Sequence, residues 1–186
     1  MPTVFTHAVV GASISALGRP AGVRLGLVAA ACAAAPDLDV IPLWLGVPWG
    51  HGLGHRGITH SLAFAAVLAG VVAATMFRAR GRGRLGVWLV LFAATASHGL
   101  LDAMTDGGIG IAFFAPFDDG RFFLPWRPIP VSPISLGRFF SGRGAAVLRA
   151  EVLLIWGPAV LLALAAVWRR RRAAPRTPSP ASPAGE

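Results

Sequence analysis

Twenty consecutive residues, Ile58 to Phe77, contain a single titratable side chain, His60, and a second apolar run from Leu85 to about Leu101 is broken only by His98. Runs of this length read as membrane spans, because about 20 apolar residues in helical conformation cross the hydrocarbon core of a bilayer. A third run, Val152 to Trp168, ends at the four arginines Arg169 to Arg172. Two shorter apolar segments, about Val4 to Leu17 and Val23 to Ala35, are joined by Gly18-Arg-Pro-Ala-Gly22 and predict a helical hairpin, tilted or only partly spanning. The pattern predicts an all-α, polytopic membrane helical bundle of four or five spans.

Between the second and third spans, about Asp106 to Ala150, lie Phe113, Phe114, Phe117, Phe122, Phe123, Trp126, Phe139 and Phe140 among Pro and Arg residues. This long outer-face aromatic loop suits the headgroup region, as a belt or as a re-entrant lid over a site. Thr105, Asp106 and the glycines at 107, 108 and 110 predict a turn after the second span, because closely spaced glycines make continued helix costly. One membrane-embedded domain, residues 1–172, is expected, followed by a Pro/Ala/Ser-rich cytoplasmic tail, residues 173–186, expected to be disordered. Met1 to Thr6 carry no Lys or Arg, so no cleaved signal peptide is expected.

Composition agrees with a membrane solvent: 55% of residues are hydrophobic, 13% are charged, and the mean hydropathy is +0.65. A net charge of +9 could point to nucleic acid, yet every basic residue is Arg and many flank apolar runs, where topology signals belong. Nucleic acid is not an expected partner, since no long soluble segment offers a basic reading face. The lone Cys32, in an alanine run, reads as a packing residue.

If the segments alternate, Arg19, Arg24, Arg78, Arg80, Arg82, Arg84, Arg169 to Arg172 and Arg176 fall on one side, eleven in all, against six on the other: Arg56, Arg121, Arg127, Arg138, Arg143 and Arg149. The first side is then cytoplasmic, with the C-terminus. Lysine-free, Ala- and Arg-rich usage hints at a high-GC bacterial source. The expected location is a bacterial inner membrane.

The same alternation brings His7, Asp37, Asp39, His60, His98 and Asp102 to the non-cytoplasmic leaflet, although arginines rather than acids assigned the sides. His98 and Asp102, spaced i, i+4, lie on one helical face and can address one cation together, or simply share a hydrogen bond. Within an apolar span, ionisable groups are costly unless paired and mark function by default. Pro36-Asp-Leu-Asp39 sets two carboxylates at a helix exit, where the macrodipole disfavours negative charge and a cation is a natural remedy; a solvated turn is the alternative. Gly54-His-Arg-Gly-Ile-Thr-His-Ser61 gathers His55, Arg56 and His60 at a glycine-flexed helix entry, with His51 one turn upstream. Imidazole and carboxylate together suit zinc sites that keep a water position open. Arg56 offers a fork of donors to a phosphate or developing oxyanion, or else pairs with Asp37 or Asp39.

His7, PDLD at 36 to 39, GHRGITHSL at 54 to 62 and SHGLLDAMTDGG at 97 to 108, followed by the aromatic Pro/Arg segment, resemble in order and spacing the YdjM-type family of bacterial inner-membrane metal-dependent hydrolases. The resemblance runs from His7 to about Pro158. It implies a membrane-bound hydrolase and supplies no substrate. More remotely, the order of histidines and aspartates is similar to the zinc-dependent phospholipase C and nuclease P1 group, but their later second HxxxD is absent, so a three-metal cluster is not expected.

The resulting expectation is one or two divalent ions, zinc by preference, on His60, His98, Asp102 and either Asp37 or Asp39, with His7 a further ligand and Asp106 in reserve. Such an ion would lower the pKa of a water molecule toward neutrality, with Arg56 stabilising developing charge and His55 either supporting a ligand from behind or acting as acid/base. The favoured substrate is a lipid-linked phosphoester at headgroup depth. The rival reading is a non-enzymatic metal-binding membrane protein, a transporter, sensor or partner-binding scaffold. A pathway should spread polar groups through the bilayer, whereas here they collect at one face.

Overall fold

A computed structural model describes residues 1–18, 22–78, 82–133, 136–140 and 142–173, and the fold is a helical bundle. The Ala-rich α1 (Val4–Leu17) and α2 (Val23–Ala34) form the expected hairpin. Gly11 of α1 allows close approach: a Cβ there would lie 2.6 Å from the Ala29 carbonyl oxygen and from Ala33 Cβ. Small residues at such a contact let two membrane helices pack backbone to backbone.

The helical path of α2 does not stop at Pro36. It tightens to a 3-10 segment, Ala35–Asp39, and resumes as α3 (Val40–Trp44), so that Val23–Trp44 is one run of 22 residues. Proline is tolerated because it sits in the first turn of the 3-10 segment, where its missing N–H has no partner to lose. The span expected from Ile58 is likewise adjusted: Ile58–His60 is a 3-10 turn, Ser61 caps the next helix by accepting from Phe64 N at 3.0 Å, and α4 is Leu62–Met76.

The central element is α5 (Arg82–Ala103), which packs against α1, α2 and α4. Its buried residues Val87, Leu91, Ala94, His98 and Asp102 recur every three or four positions and so form one stripe. The stripe is apolar for most of its length and turns polar only in its last two turns. Beyond it, the expected turn is present: Thr105 Oγ1 donates to the Asp102 carbonyl at 2.7 Å, and Gly108 and Gly110 adopt positive φ.

After the loop and the short α6 (Leu136–Phe139), the last helix begins ten residues earlier than its apolar run suggests. Helix α7 (Gly142–Glu151) passes through a π-helical turn, Val152–Trp156, into α8 (Gly157–Ala173). Glu151, fully buried, is tolerated because it accepts from Thr3 N at 2.7 Å, Thr3 Oγ1 at 2.5 Å and Thr6 Oγ1 at 2.7 Å. Leu153, Leu161, Leu162 and Leu164 face outward, as a lipid-contacting helix requires. Among the described residues, three runs are long and apolar enough to cross a membrane: Val23–Trp44, Gly83–Ala103 and Gly142–Ala173. Helices α1 and α4 are shorter apolar elements. Ala173 belongs to α8, and residues 174–186 of the expected tail lie outside the described residues.

Candidate metal centre

Four parts of the chain deliver polar side chains to one end of the bundle. His7 comes from the first turns of α1, Asp37 and Asp39 from the 3-10 segment after α2, and His55, Arg56 and His60 from the loop entering α4; His98 and Asp102 come from the end of α5. Asp37 is 8% exposed and the other seven are at most 4% exposed, a depth at which unpaired polar groups are expensive.

The backbone makes this convergence possible at two unusual points. Arg56 is the one non-glycine residue with positive φ (65°) among the described residues, a conformation that persists only where surrounding contacts over-determine it. Its amide donates to Asp39 Oδ2 at 3.1 Å and its carbonyl accepts from Ala112 N at 3.2 Å. Gly108, at φ 101°, supplies the second: a Cβ there would lie 2.2 Å from an Arg56 guanidinium nitrogen.

Three imidazoles have their Nδ1 atoms occupied and their Nε2 atoms free to point inward. His55 Nδ1 lies 2.6 Å from Asp39 Oδ1, His60 Nδ1 is 3.1 Å from Asp39 Oδ2, and His98 Nδ1 donates to the Ala33 carbonyl at 2.7 Å. Asp39 is also bonded by Thr59 Oγ1 at 2.8 Å. A histidine whose Nδ1–H is held by a carboxylate or carbonyl is oriented in the manner of a metal ligand, with the Nε2 lone pair directed at the ion.

Two of those lone pairs meet, those of His60 and His98. His60 Nε2 and His98 Nε2 are 3.0 Å apart, His60 Nε2 is 3.5 Å from Asp102 Oδ2, His98 Nε2 is 3.4 Å from Asp37 Oδ1, and His7 Nε2 is 3.4 Å from Asp102 Oδ1. His7 also stacks on His98, with centroids 3.7 Å apart. Both nitrogens of His7 and both carboxylate oxygens of Asp37 and of Asp102 are buried without a hydrogen-bond partner. Donors around a four-coordinate zinc at about 2.0–2.2 Å stand about 3.3–3.6 Å from one another. Two triads could hold an ion, His7 with His98 and Asp102, and Asp37 with His55 and His60.

Arg56 is anchored on three sides. Its Nε lies 3.4 Å from Asp102 Oδ2, and its terminal nitrogens donate to the Gly107 carbonyl at 2.9 Å and to Thr105 Oγ1 at 3.1 Å. Outside the helices, Arg121 donates to the Arg56 carbonyl at 3.1 Å. Burial lowers the Arg121 pKa and the nearby Asp119 charge opposes that shift.

Of the residues expected at the site, His7, Asp37, Asp39, His55, Arg56, His60, His98 and Asp102 are brought together. Asp106 is not: it is exposed and accepts from Val131 N at 2.8 Å. His51 is exposed and outside the cluster. Thr59, Thr105 and the Ala33 carbonyl are supporting groups that sequence reasoning missed as contacts. Thr59 and Thr105 lie inside the quoted motifs, whereas nothing in an alanine run marks a carbonyl as a histidine partner.

With this geometry in view, residues 1–173 match the family model described as "YdjM inner membrane protein". The chain belongs to that family. It is 41% identical over 177 residues to inner membrane protein YbcI of Escherichia coli (strain K12), an alignment covering 92% of this chain and 100% of that relative. No solved structure matches.

Proposed function

We propose that this YdjM-family chain is a membrane-bound metal-dependent hydrolase acting on a phosphoester or other ester at headgroup depth. The observation that carries the reading is the 3.0 Å approach of His60 Nε2 to His98 Nε2, with both Nδ1 atoms bonded elsewhere. Two facing lone pairs repel unless a proton lies between them or each is taken up by a cation, and the six unpartnered buried atoms of His7, Asp37 and Asp102 ask for the same remedy.

The donor set fits one or two divalent ions, with zinc favoured by its imidazole and carboxylate composition. His7, His98 and Asp102 would hold one ion, and Asp37, His55 and His60 a second. Asp39 then orients His55 and His60 instead of binding metal, which moves His55 from the expected acid/base role to that of a ligand. A divalent ion supplies Lewis acidity and lowers the pKa of a water toward neutrality. Arg56 holds Asp102 and adds fixed positive charge beside the donors; its three engaged nitrogens suit positioning better than gripping a substrate directly. Asp37 is the least buried of the donors. In the bacterial inner membrane this centre faces the non-cytoplasmic side, as the arginine distribution implies.

The test is metal analysis of the detergent-purified protein, with phosphodiesterase, phosphomonoesterase and lipase substrates assayed before and after chelation. Bound metal and chelator-sensitive hydrolysis are expected. Bound metal without hydrolysis across the panel would move the assignment to a metal-binding transporter, sensor or scaffold, and absence of stoichiometric metal would remove both.

A further inference from the structure

Outside the metal centre, two cavities adjoin at Ala115. The first, about 440 Å³, lies between α4, α5 and the loop, walled by Leu62, Ala66, Trp88, Phe92, Phe113 and Phe117. Its wall is apolar, because the Trp88 indole N–H is already spent on the Ala66 carbonyl at 3.1 Å. Trp88 and Phe92 stack with centroids 5.2 Å apart, giving the wall a flat, stiff face. The second cavity, about 480 Å³, lies on the other side of Ala115 and is polar at its rim, with His51, Asp119 and Arg121. Each volume is in the range of a small-molecule site.

The strip between the cavities is fixed at its start, at the adjacent residues Ala112 and Phe113. Ala112 N donates to the Arg56 carbonyl at 3.2 Å, and Leu62 N donates to the Phe113 carbonyl at 3.0 Å. The strip therefore cannot drift away from the loop that carries His55, Arg56 and His60. The apolar cavity opens between α4, α5 and the loop, and its lining matches a hydrocarbon chain. The polar cavity carries the Asp119 carboxylate and the Arg121 guanidinium, whose terminal nitrogens donate to the Arg56, Gly50 and His51 carbonyls at 3.1, 3.3 and 3.4 Å and hold its positive charge in place; fixed charges of both signs complement a head that carries a phosphate and an ammonium together.

We propose that the two cavities form one binding cleft for a zwitterionic, amine-bearing phospholipid, with an acyl chain against Trp88, Phe92 and Phe113, the phosphate toward Arg121 and the ammonium toward Asp119. As a statement about binding it stands apart from catalysis; as a statement about the substrate class it rests on the hydrolase reading.

The full-length protein, in mild detergent, is exchanged against mixed micelles holding equal phosphatidylethanolamine and phosphatidylglycerol, and retained lipid is quantified by mass spectrometry alongside metal content. Phosphatidylethanolamine should be retained about tenfold over phosphatidylglycerol, the scale of one charge-assisted contact. Asp119→Asn, at an exposed position, should abolish that preference, and Ala63→Trp, which fills the apolar cavity, should lose lipid of both kinds while metal content is unchanged. Should Ala63→Trp fail to fold, Phe117→Ala at the exposed mouth should weaken retention instead. Equal retention of the two lipids by the parent protein, or a preference that survives Asp119→Asn, overturns the proposal. Metal content and hydrolysis report separately on the metal centre, so failure of one reading is distinguishable from failure of the other.

Discussion

His60 Nε2 and His98 Nε2 stand 3.0 Å apart at the junction of the loop before α4 and the last turns of α5, although 38 residues separate them in the chain. Neither nitrogen can turn away, because His60 Nδ1 is held by Asp39 and His98 Nδ1 by the Ala33 carbonyl. If a cation relieves this approach, His98→Ala and Asp102→Asn should each lower bound metal by one ion per chain while the protein still inserts and elutes as a single species. Metal quantified by mass spectrometry, beside size-exclusion chromatography, reads both; undiminished metal in His98→Ala would remove this residue from the ligand set.

The two aspartates of the 3-10 segment should separate cleanly. Asp37→Asn removes a donor whose oxygens have no partner and should abolish binding of one ion. Asp39→Asn only loosens two histidines, so affinity should fall about 10–100-fold, as for other losses of a carboxylate behind a metal-bound histidine. Competition titration with a chelating dye gives both numbers, and equal losses would erase the distinction drawn between the two carboxylates.

Glu151 ties the last helix to Thr3 and Thr6 at the start of α1, four residues and one residue from His7. Glu151→Ala leaves Thr3 and Thr6 donors buried without an acceptor, at a cost of about 1–3 kcal/mol. Glu151→Gln keeps one carbonyl oxygen and should cost less. Thermal unfolding in detergent ranks the three proteins; a Glu151→Ala variant as stable as the parent would show that the network contributes nothing to the fold.

Reporter fusions test the orientation drawn from the arginines. A fusion at the C-terminus and one at about Arg78, between α4 and α5, should be active in the cytoplasm, and one at about Gly120 outside it. A non-cytoplasmic signal from the fusion at Arg78 would invert the bundle and carry the metal centre to the other face.

The helical hairpin of α1 and α2, the span that became α5 and the gathering of histidines and aspartates at one end were legible in the sequence, because apolar run length and i, i+4 spacing are local properties of a helix. His98 and Asp102 share the buried stripe of α5 for that reason alone. The beginning of the last helix was not legible: Arg143, Arg149 and Glu151 make Gly142–Glu151 look like loop, and only Thr3 and Thr6, some 145 residues away, supply the donors that let Glu151 be buried. The division of labour between Asp37 and Asp39 was decided the same way. Continuation of the chain as a 3-10 segment with about three residues per turn sets two residues two apart on different faces. Asp37 thus meets His98, while Asp39 meets His55 and His60. Sequence determined which side chains could bind an ion and at which end of the bundle. Which of them face the centre, and which stand behind it, was settled by backbone turns at Asp39 and Arg56 held in place by contacts distant in the chain, and no local pattern records such contacts.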